Sequence, residues 1–560
     1  MRALSLAMPA AGGAAILGVL VAVALGPARG AEPSAGSLPA GGSALGMSSG
    51  SGAAPEPPPP VELPLAVSAG RTIRVPAGGD FAAALGAADP GDQIVIEAGA
   101  DFEGPFTLPE KNGSGWITIR TSAPDGALPP PGTRVDPSDA SLMPKIVSAS
   151  DAVIVAAPRA HSYHFIGVEI APIGGVFLDN LVLLGSLERS SEDLPHHIVF
   201  SRCWIHGDPL MGSRRGIAMN GRHLAVVDSH LSDFKEVGGD SQAVAGWNGP
   251  GPFRIVNDFL EAAGENVLFG GADPVIPGLV PSDIEIRRNQ LSKPLTWKAD
   301  DPSFAGTAWT VKNLFELKNA RRVVIEGNLF EYNWADAQNG FAILFTVRNE
   351  NGTAPWSVVK DVTFTNNVVR HAGGGVNILG RDDSGAPSRQ ARRIVIRNNL
   401  FLDIGGAEWN GSGALFQIIN GTDRLAIKHN TAFQTGNVIT ADGAPHTHFV
   451  FRDNVAPHNA FGVTGTGTAV GLPTLQAYFP GFIFRGNLLV GGDAAAYPPH
   501  NSFPGSFSEL GPDGPGGCEV GDTSRFRHAG TGGRRPGVNM KTLLAAMRAQ
   551  PDAVHCEPPN

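Results

Sequence analysis

The chain has 560 residues, of which 42% are hydrophobic and 17% are charged, and its formal net charge is −10. The hydrophobic fraction suffices for a long core, and the acidic balance argues against a general binder of nucleic acid or anionic membranes. The 73 glycines and 46 prolines favour a chain with many turns and few long helices.

The N-terminus has the pattern of an export signal. Arg2 precedes an apolar run at residues 10–25, and Ala28 and Gly30 supply small side chains for cleavage. We therefore predict a signal peptide over residues 1–30. An uncleaved anchor is the alternative, although the run is short for a membrane span. No other segment is apolar enough to cross a bilayer, so we expect a secreted, periplasmic or cell-surface protein without a stable span after cleavage.

Residues 31–70 are rich in Pro, Gly, Ser and Ala and are predicted to form a linker. Residues 80–88 then have helical spacing, and a short strand pattern follows at 93–96. A short helix before the first strands would cover the open core of a solenoid and block edge-to-edge pairing.

The body of the chain repeats a short strand that ends on a small polar residue. The repeated position is occupied by Cys203, Ser229, Asp258, Asn289, Asn328, Asn367, Asn399, Asn430, Asn454 and Asn487. Steps of 24 to 39 residues without long amphipathic helices indicate a solenoid of short strands. Asn tolerates the left-handed conformation of a tight bend, and its amide can bond to the next coil. We therefore expect one inward ladder, with Cys203 as a buried, inert thiol.

These repeats resemble those of the right-handed parallel β-helix superfamily, which includes the pectate lyase-like proteins, over residues 75–545. Residues 99–104 and 116–120 resemble the opening coils of such proteins. Residues 239–242, 264–266, 331–336 and 353–356 resemble segments of an uncharacterised group of secreted bacterial members. The resemblance implies an all-β fold, a right-handed parallel β-helix solenoid with a short N-terminal capping helix and a C-terminal helical cap. This superfamily hosts lyases, hydrolases, epimerases and adhesins, so it implies no catalytic residue.

The C-terminal region is predicted to finish the domain. Residues 540–549 have helical spacing, and we expect this helix to close the other end of the solenoid. The β-helix domain is assigned to residues 71–545 and the tail to 546–560. Cys518 and Cys556 can form a disulfide in an oxidising compartment.

The two longest steps, 39 residues each, bracket the region where we expect a groove, because extra length in a β-helix goes into loops over one face. Lys318, Arg348 and Arg381 are predicted to stack there on neighbouring coils, about 5 Å apart. With Glu316 and Asn377 beside them, they would bind a polyanionic glycan. The alternative is a salt-bridged surface ladder that uses Glu316 and the nearby acidic residues Glu350, Asp382 and Asp383.

Asp240, Glu265 and Asp273 follow strands in neighbouring repeats. Carboxyl groups one coil apart would approach the ~5–5.5 Å spacing of retaining glycosidases, and two coils apart the ~6.5–9.5 Å of inverting ones. The same three carboxylates could bind Ca²⁺, the one cofactor that the sequence suggests. The alternative is that they cap turns.

Aromatic and histidine side chains complete the candidate groove. Trp247 and Trp334 lie in or beside loops, where an indole can form a platform for sugar rings. His371 follows a strand in the same region and could titrate. Packing over the coil is the alternative for both tryptophans, and a structural role is the alternative for the histidine.

The preferred function is a polysaccharide lyase that acts on a uronic-acid glycan. β-Elimination needs a base to remove a weakly acidic proton and a cation to neutralise the neighbouring carboxylate. Lys312, Lys318 and Arg348 are the candidates for these catalytic roles, with Asp240 and Glu265 as further catalytic or Ca²⁺-binding groups. The alternatives are a glycoside hydrolase that uses the clustered carboxylates, or a non-catalytic glycan-binding protein. We expect a monomer that binds polysaccharide and no nucleic acid.

Overall fold

A computed structural model describes residues 54–59, 70–512, 517–548 and 554–556. The predicted signal peptide at 1–30 lies outside these residues, as does most of the predicted linker at 31–70. Within the linker, the backbone N–H of Glu56 donates to Asp361 Oδ1 at 3.2 Å. None of the helices that the structure describes is long and apolar enough to cross a membrane.

Three long sheets make up the body, and nearly every turn of the chain adds one strand to each. The first sheet, sheet A, contains β1 (Thr72–Val75), β2 (Gln93–Ile96), β5 (Ile117–Thr121), β8 (His161–Ile166), β11 (His196–Ser201), β14 (Arg222–Val227), β17 (Phe253–Val256), β20 (Ser282–Arg287), β23 (Ala320–Glu326), β26 (Val359–Thr365), β29 (Arg392–Arg397), β32 (Asp423–Lys428), β35 (Val450–Arg452) and β38 (Ile483–Arg485). Sheet B contains β3 (Asp101–Glu103), β6 (Lys145–Ser148), β9 (Glu169–Pro172), β12 (Trp204–His206), β15 (His230–Phe234), β18 (Phe259–Ala262), β21 (Gln290–Ser292), β24 (Leu329–Asn333), β27 (Val368–Ala372), β30 (Leu400–Ile404), β33 (Thr431–Gln434), β36 (Val455–Pro457) and β39 (Leu488–Val490). Sheet C contains β4 (Phe106–Leu108), β7 (Ile154–Ala156), β10 (Asn180–Leu184), β13 (Arg215–Met219), β16 (Gln242–Gly246), β19 (Glu265–Phe269), β22 (Asn313–Leu317), β25 (Phe341–Thr346), β28 (Gly374–Leu379), β31 (Phe416–Ile419), β34 (Ile439–Asp442) and β37 (Val463–Gly465).

Neighbouring strands in all three sheets are parallel, as in β20, β23 and β26 of sheet A. The chain is therefore a right-handed parallel β-helix, as predicted, with one continuous apolar core inside the coil. Alternation along each strand points every second side chain inward. Aromatic side chains stack from coil to coil, and the rings of Phe165 and Phe200 are 4.8 Å apart.

The predicted inward ladder is confirmed. From Asn289 onward, each side-chain amide donates to the amide oxygen of the next coil over 2.9–3.2 Å, and the series ends at Asn501. Upstream, Ser229 N donates to Asp258 Oδ1 at 2.7 Å, and Cys203 N donates to Ser229 Oγ at 3.1 Å. Burial raises the pKa of the Cys203 thiol to about 12, so it stays protonated.

In the described part of the chain, three α-helices accompany the coil: α1 (Phe81–Ala87), α2 (Leu472–Tyr478) and α3 (Met540–Met547). Short 3-10 turns occur at Pro137–Leu142, Leu295–Trp297, Ala494–Ala496 and Phe507–Leu510. The α1 helix begins at an Asp80 cap and buries Phe81 and Leu85 against the first coils, as predicted for an N-terminal cap.

The C-terminal helix is present, but it lies beside the solenoid and not over its end. Its Leu543 and Leu544 pack against Val368 and Leu400 on the outer face of sheet B. The last coils are instead covered by α2, which contacts β34 and β37 and inserts Leu475 into the main core. The Cys518–Cys556 disulfide joins the tail to the segment before α3.

Candidate functional site

The structure brings together three of the residues predicted from the repeats, on the outer face of sheet C. Lys312 Nζ lies 2.7 Å from Asp240 Oδ2 and 3.2 Å from Glu265 Oε1. Gln242, which is paired with Glu265 across β16 and β19, donates its amide to Glu265 Oε2 at 2.8 Å. Both carboxylate oxygens of Glu265 therefore have partners.

In this cluster, the charged groups of Lys312, Asp240 and Glu265 are paired with one another. Burial raises the pKa of Glu265, whose side chain is fully covered. Although burial opposes it, the carboxylates of Glu265 and Asp240 raise the pKa of Lys312. The ammonium group of Lys312 is thus a fixed positive charge between two acids, and it is a poor proton acceptor at neutral pH.

Lys318 and Arg348 of the predicted basic row lie on neighbouring coils, and Lys318, the first member, is ion-paired. Lys318 Nζ lies 3.2 Å from Glu350. Glu316 is buried on the same strand and accepts a hydrogen bond from Thr346 Oγ1 at 2.9 Å. Although burial opposes it, Glu316 and Glu350 raise the pKa of Lys318.

Arg348 lies on the next coil, because its backbone N–H donates to Lys318 O at 2.9 Å. Its guanidinium contacts Asp382 at 3.2 Å and also contacts Asp383. Arg381 is exposed and has no carboxylate partner among the residues described. The arrangement at Lys318 and Arg348 is the salt-bridged ladder that the sequence left open as the alternative.

The three predicted metal-binding carboxylates do not form one site. Asp273 Oδ2 accepts hydrogen bonds from Thr353 N at 2.8 Å and Asn351 N at 3.1 Å, so it caps a loop. Within the described ranges, no group of three His, Cys, Asp or Glu side chains has the geometry to hold a metal. The ammonium group of Lys312 lies where a cation between Asp240 and Glu265 would bind.

The predicted sugar-binding tryptophans are both packed against protein. Trp334 is 4% exposed and lies against Trp297 and Val311, so its predicted contact with a glycan is corrected to a core contact. Trp247 is partly buried, and the Arg215 guanidinium lies 5.4 Å from its ring centre.

Two other predicted residues lie apart from the Lys312 cluster. His371 belongs to sheet B, where its Nδ1 is 2.9 Å from Asp403 and its ring stacks on Tyr332 at 5.0 Å. Asn377 stays on sheet C and accepts a hydrogen bond from Gln417 Nε2 at 3.4 Å.

A groove that the sequence reasoning missed opens over sheet B, and we call it the Glu261 groove. Its volume is about 460 Å³. It is lined by Pro137, Pro209, Leu210, His230, Ser232, Asp233, Lys235, Glu261, Pro294, Thr296, Trp297, Ala305, Thr307 and Trp309. Residues of β15 and β18 form its floor, and the long loop between β21 and β22 forms one wall.

Two carboxylates from adjacent coils face this groove. Burial, together with the negative charge of Asp233, raises the pKa of Glu261 to about 7. The backbone N–H of Asp233 donates to Glu261 Oε1 at 3.0 Å, and Asp233 Oδ1 contacts Lys235 Nζ at 2.5 Å. The groove therefore holds one carboxyl that titrates near neutral pH beside a second that is ion-paired with a lysine.

Two indoles line this groove, of which Trp309 is partly exposed and Trp297 is buried. The rings of Trp297 and Trp309 lie 5.2 and 5.3 Å from Lys235 Nζ, so the ammonium is held between two indoles. Leu210, 83% exposed, lines the groove as well. Apolar and aromatic walls around a few polar groups are typical of a site for a sugar chain.

The sequence held a signal for this groove in the loop of residues 293–312, which carries Trp297 and Trp309 between two strands. Asp233 could not be placed from spacing alone, because it has a φ of 62°. The pairing of β15 with β18 shifts register between Leu231 and Phe234, and this shift brings the Asp233 backbone to Glu261.

The chain is similar to several solved β-helix structures. The PL6 family alginate lyase AlyGC is 15% identical with a TM-score of 0.43, over 77% of this chain and 53% of that chain. A mutant tailspike protein of E. coli bacteriophage HK620, in complex with a pentasaccharide, is 12% identical with a TM-score of 0.44, over 76% of this chain and 72% of that chain. PfbA, a surface adhesin of Streptococcus pneumoniae, is 10% identical with a TM-score of 0.35, over 68% of this chain and 85% of that chain. No protein family and no curated protein matches the chain.

Proposed function

We propose that the protein is a polysaccharide-degrading glycoside hydrolase whose general acid is Glu261. The observation that carries this proposal is the pair of carboxylates, Glu261 and Asp233, that face one tryptophan-walled groove from adjacent coils. Hydrolysis of a glycosidic bond needs two carboxyl groups with different protonation states across the scissile bond.

Each group has a role in this reaction. Glu261, with a pKa of about 7, is protonated at mildly acidic pH and donates its proton to the leaving oxygen. Asp233, held by Lys235, attacks the anomeric carbon as the leaving oxygen departs, and a water molecule deprotonated by Glu261 then hydrolyses the glycosyl ester on Asp233. Adjacent coils are about 4.8 Å apart, near the ~5–5.5 Å of retaining enzymes. Trp309, which is partly exposed, provides a flat surface for a sugar ring.

The setting that we propose is extracellular. The disulfide between Cys518 and Cys556 is of a kind that persists in oxidising compartments. Residues 1–30 have the pattern of an export signal. A secreted monomer with a side groove would act on a polysaccharide outside the cytoplasm.

A uronate lyase on sheet C is the second candidate. It is favoured by Lys312 and Lys318, which flank β22, and by Arg348 on the next coil of the same sheet, with Arg381, which has no ion pair among the described residues, beyond them. It is disfavoured by the carboxylate partners that keep the two lysines protonated, since β-elimination needs a free base.

Product analysis separates the two reactions. The purified protein is incubated with a panel of neutral and acidic polysaccharides, and reducing ends and ultraviolet absorbance are measured together. We expect new reducing ends without the absorbance of an unsaturated uronate. Absorbing products would overturn hydrolysis in favour of the lyase, and binding without any cleavage would overturn both in favour of a non-catalytic glycan-binding protein.

A further inference from the structure

A row of cations runs along the outer face of sheet A, and we call it the sheet A cation row. Its members are the strand-terminal residues Arg397, Lys428, Arg452 and Arg485. They are directly paired from β29 to β32, β35 and β38, so each occupies the same position on its own coil. Consecutive coils are about 4.8 Å apart, which sets the spacing of the positive charges.

Most of these cations have no acidic partner. Within the described ranges, Arg397, Lys428 and Arg485 form no ion pair, and Arg452 reaches only Asp453, at 3.8 Å. Asp453 also contacts His429 at 3.3 Å and accepts a hydrogen bond from Thr531 N at 2.6 Å. The one carboxylate that a member of the row reaches is therefore already bonded elsewhere.

On earlier coils of the same face, the arginines are paired with glutamates of neighbouring strands. Glu285 of β20 lies 3.4 Å from Arg254 and 2.6 Å from Arg287. Arg287 in turn contacts Glu326 of β23. At the row position, Arg287 of β20 is followed by Glu326 of β23, so the charges of neighbouring coils alternate in sign. From β29 onward, every residue at this position is positively charged.

The cations of the row repel one another, which lowers the pKa of groups in and beside it. Burial, Arg452 and Arg397 together lower the pKa of Lys428, while Asp453 raises it only in part. Burial and the flanking cations likewise lower the pKa of His429, against the opposing effect of Asp453. An anionic ligand would relieve this repulsion, since the chain supplies too few carboxylates to do so.

A groove of about 420 Å³ lies beside the row. It is lined by Thr365, Asn366, Arg397, Asn398, His429, Arg534, Arg535, Gly537, Val538, Asn539 and Thr542. Arg534, which is exposed, also lines this groove and adds a cation, whereas Arg535 is paired with Glu519 at 2.8 Å.

We propose that the sheet A cation row binds an acidic polysaccharide, one that carries carboxylate or sulfate groups along an extended chain. The straight row repeats at about the length of one sugar unit, whereas duplex DNA presents its phosphates on helical tracks. The outward residues beside the row are Val395, Ala426, Val450 and Ile483, which offer apolar contact to sugar rings and no aromatic platform for nucleic-acid bases. This site lies on a different sheet from the Glu261 groove and is independent of hydrolysis there.

The test is electrophoresis of the folded protein in native gels that contain polygalacturonate, heparin or neutral dextran. The variant R397Q/K428Q/R485Q removes three unpaired cations of the row. The matched control R159Q/R525Q/R527Q removes the same charge from arginines paired with acids elsewhere. We expect wild type and control to be retarded by polygalacturonate or heparin and not by dextran, with at least a tenfold weaker affinity for the row variant. Added salt should reduce the retardation.

Two results would overturn the proposal. The first is equal retardation of the row variant and its control, which would assign binding to net charge. The second is tighter binding of wild type to duplex DNA or to phosphatidylserine vesicles than to either acidic polysaccharide. E261Q should be retarded like wild type, so loss of hydrolysis and loss of row binding are distinguishable. Thermal unfolding of each variant confirms that it is folded.

Discussion

Asn289 and Asn328 are 39 residues apart in the chain, yet the side-chain amide of Asn289 donates to Asn328 Oδ1 at 3.1 Å. The same oxygen accepts the backbone N–H of Asn289 at 2.9 Å, and Asn328 Nδ2 donates to Ile286 O at 3.0 Å. One buried amide therefore satisfies backbone and side-chain groups of neighbouring coils. Because each coil repeats this pattern, the ladder fixes the register of the solenoid.

Removal of a central ladder residue should be strongly destabilising. N367A deletes the acceptor of two hydrogen bonds from Asn328 and the donor to Ile325 O. Each buried polar group left without a partner costs about 1–3 kcal/mol, so we expect a total loss of about 3 kcal/mol or more. Urea unfolding measures this, with N351A on an exposed loop as the control, expected to change stability by less than about 0.5 kcal/mol. Equal stabilities of the two variants would contradict a role for the ladder.

Asp258 occupies a ladder position, and its replacement by Asn should stabilise the protein at neutral pH. Burial raises the pKa of Asp258 well above its usual range, and its Oδ2 is buried without a partner in the described structure. A raised pKa means that the stability present at acidic pH is lost as the pH rises through the folded-state pKa. D258N supplies the amide found at Asn289 and removes this dependence.

Unfolding measured from pH 4 to pH 8 tests the Asp258 prediction. Wild type should lose stability across this range relative to D258N, and the variant should be the more stable protein at pH 7. A D258N variant that is less stable than wild type at pH 7 would show that the carboxylate is needed as an anion.

Lys293 places its amino group inside a turn between sheets B and C. Its fully buried Nζ lies 2.7 to 3.1 Å from four backbone carbonyl oxygens and Asn266 Oδ1. K293M keeps the apolar stem and removes this donor; two of the carbonyls still accept backbone N–H groups, and the other acceptors lose their partner, so we expect a loss of about 3 kcal/mol or more. Chemical denaturation measures the loss against K541M on the exposed face of α3. A loss no larger than that of the control would mean that water replaces the ammonium.

The spacing of the repeats predicted the fold, and it placed Asp240 and Glu265 on neighbouring coils, for a physical reason. Stacked coils convert a constant position in each repeat into a neighbour in space, so Asn289 and Asn328, or Asp240 and Glu265, could be brought together from sequence alone. The pairing of Lys318 with Glu350 was one of two alternatives that the spacing left open, and the spacing could not decide between them. Glu350 lies in a loop after the next strand, and its approach depends on the path of that loop.

The Glu261 groove was missed because its geometry departs from the regular coil. The register shift at Asp233 breaks the alternation on which the prediction depended. Likewise, the spacing of residues 540–549 predicted a helix, but not that its apolar side would pack beside Val368 and Leu400 instead of over the last coil. Amphipathic spacing shows which side of a helix is buried and does not show against what.

Glu261 should act first as a proton donor and then as the base that activates water, which gives a prediction for activated substrates. E261Q should lose cleavage of the polysaccharide but still release a rapid burst of aryl alcohol from an aryl glycoside of the same sugar, because a good leaving group needs no proton in the first step while the second step is slow. Loss of both activities to the same extent would assign Glu261 a structural role.

The most direct test of the central claim compares two glutamates that lie four residues apart. Reducing-end release from the hydrolysed polysaccharide is measured for wild type, E261Q and E265Q at pH values from 4 to 9. We predict that wild-type activity falls as the pH rises through about 7, where Glu261 loses its proton. E261Q should lose at least about 100-fold in rate, and E265Q should keep wild-type activity. Full activity in E261Q together with loss in E265Q would contradict the assignment and move the reaction to sheet C.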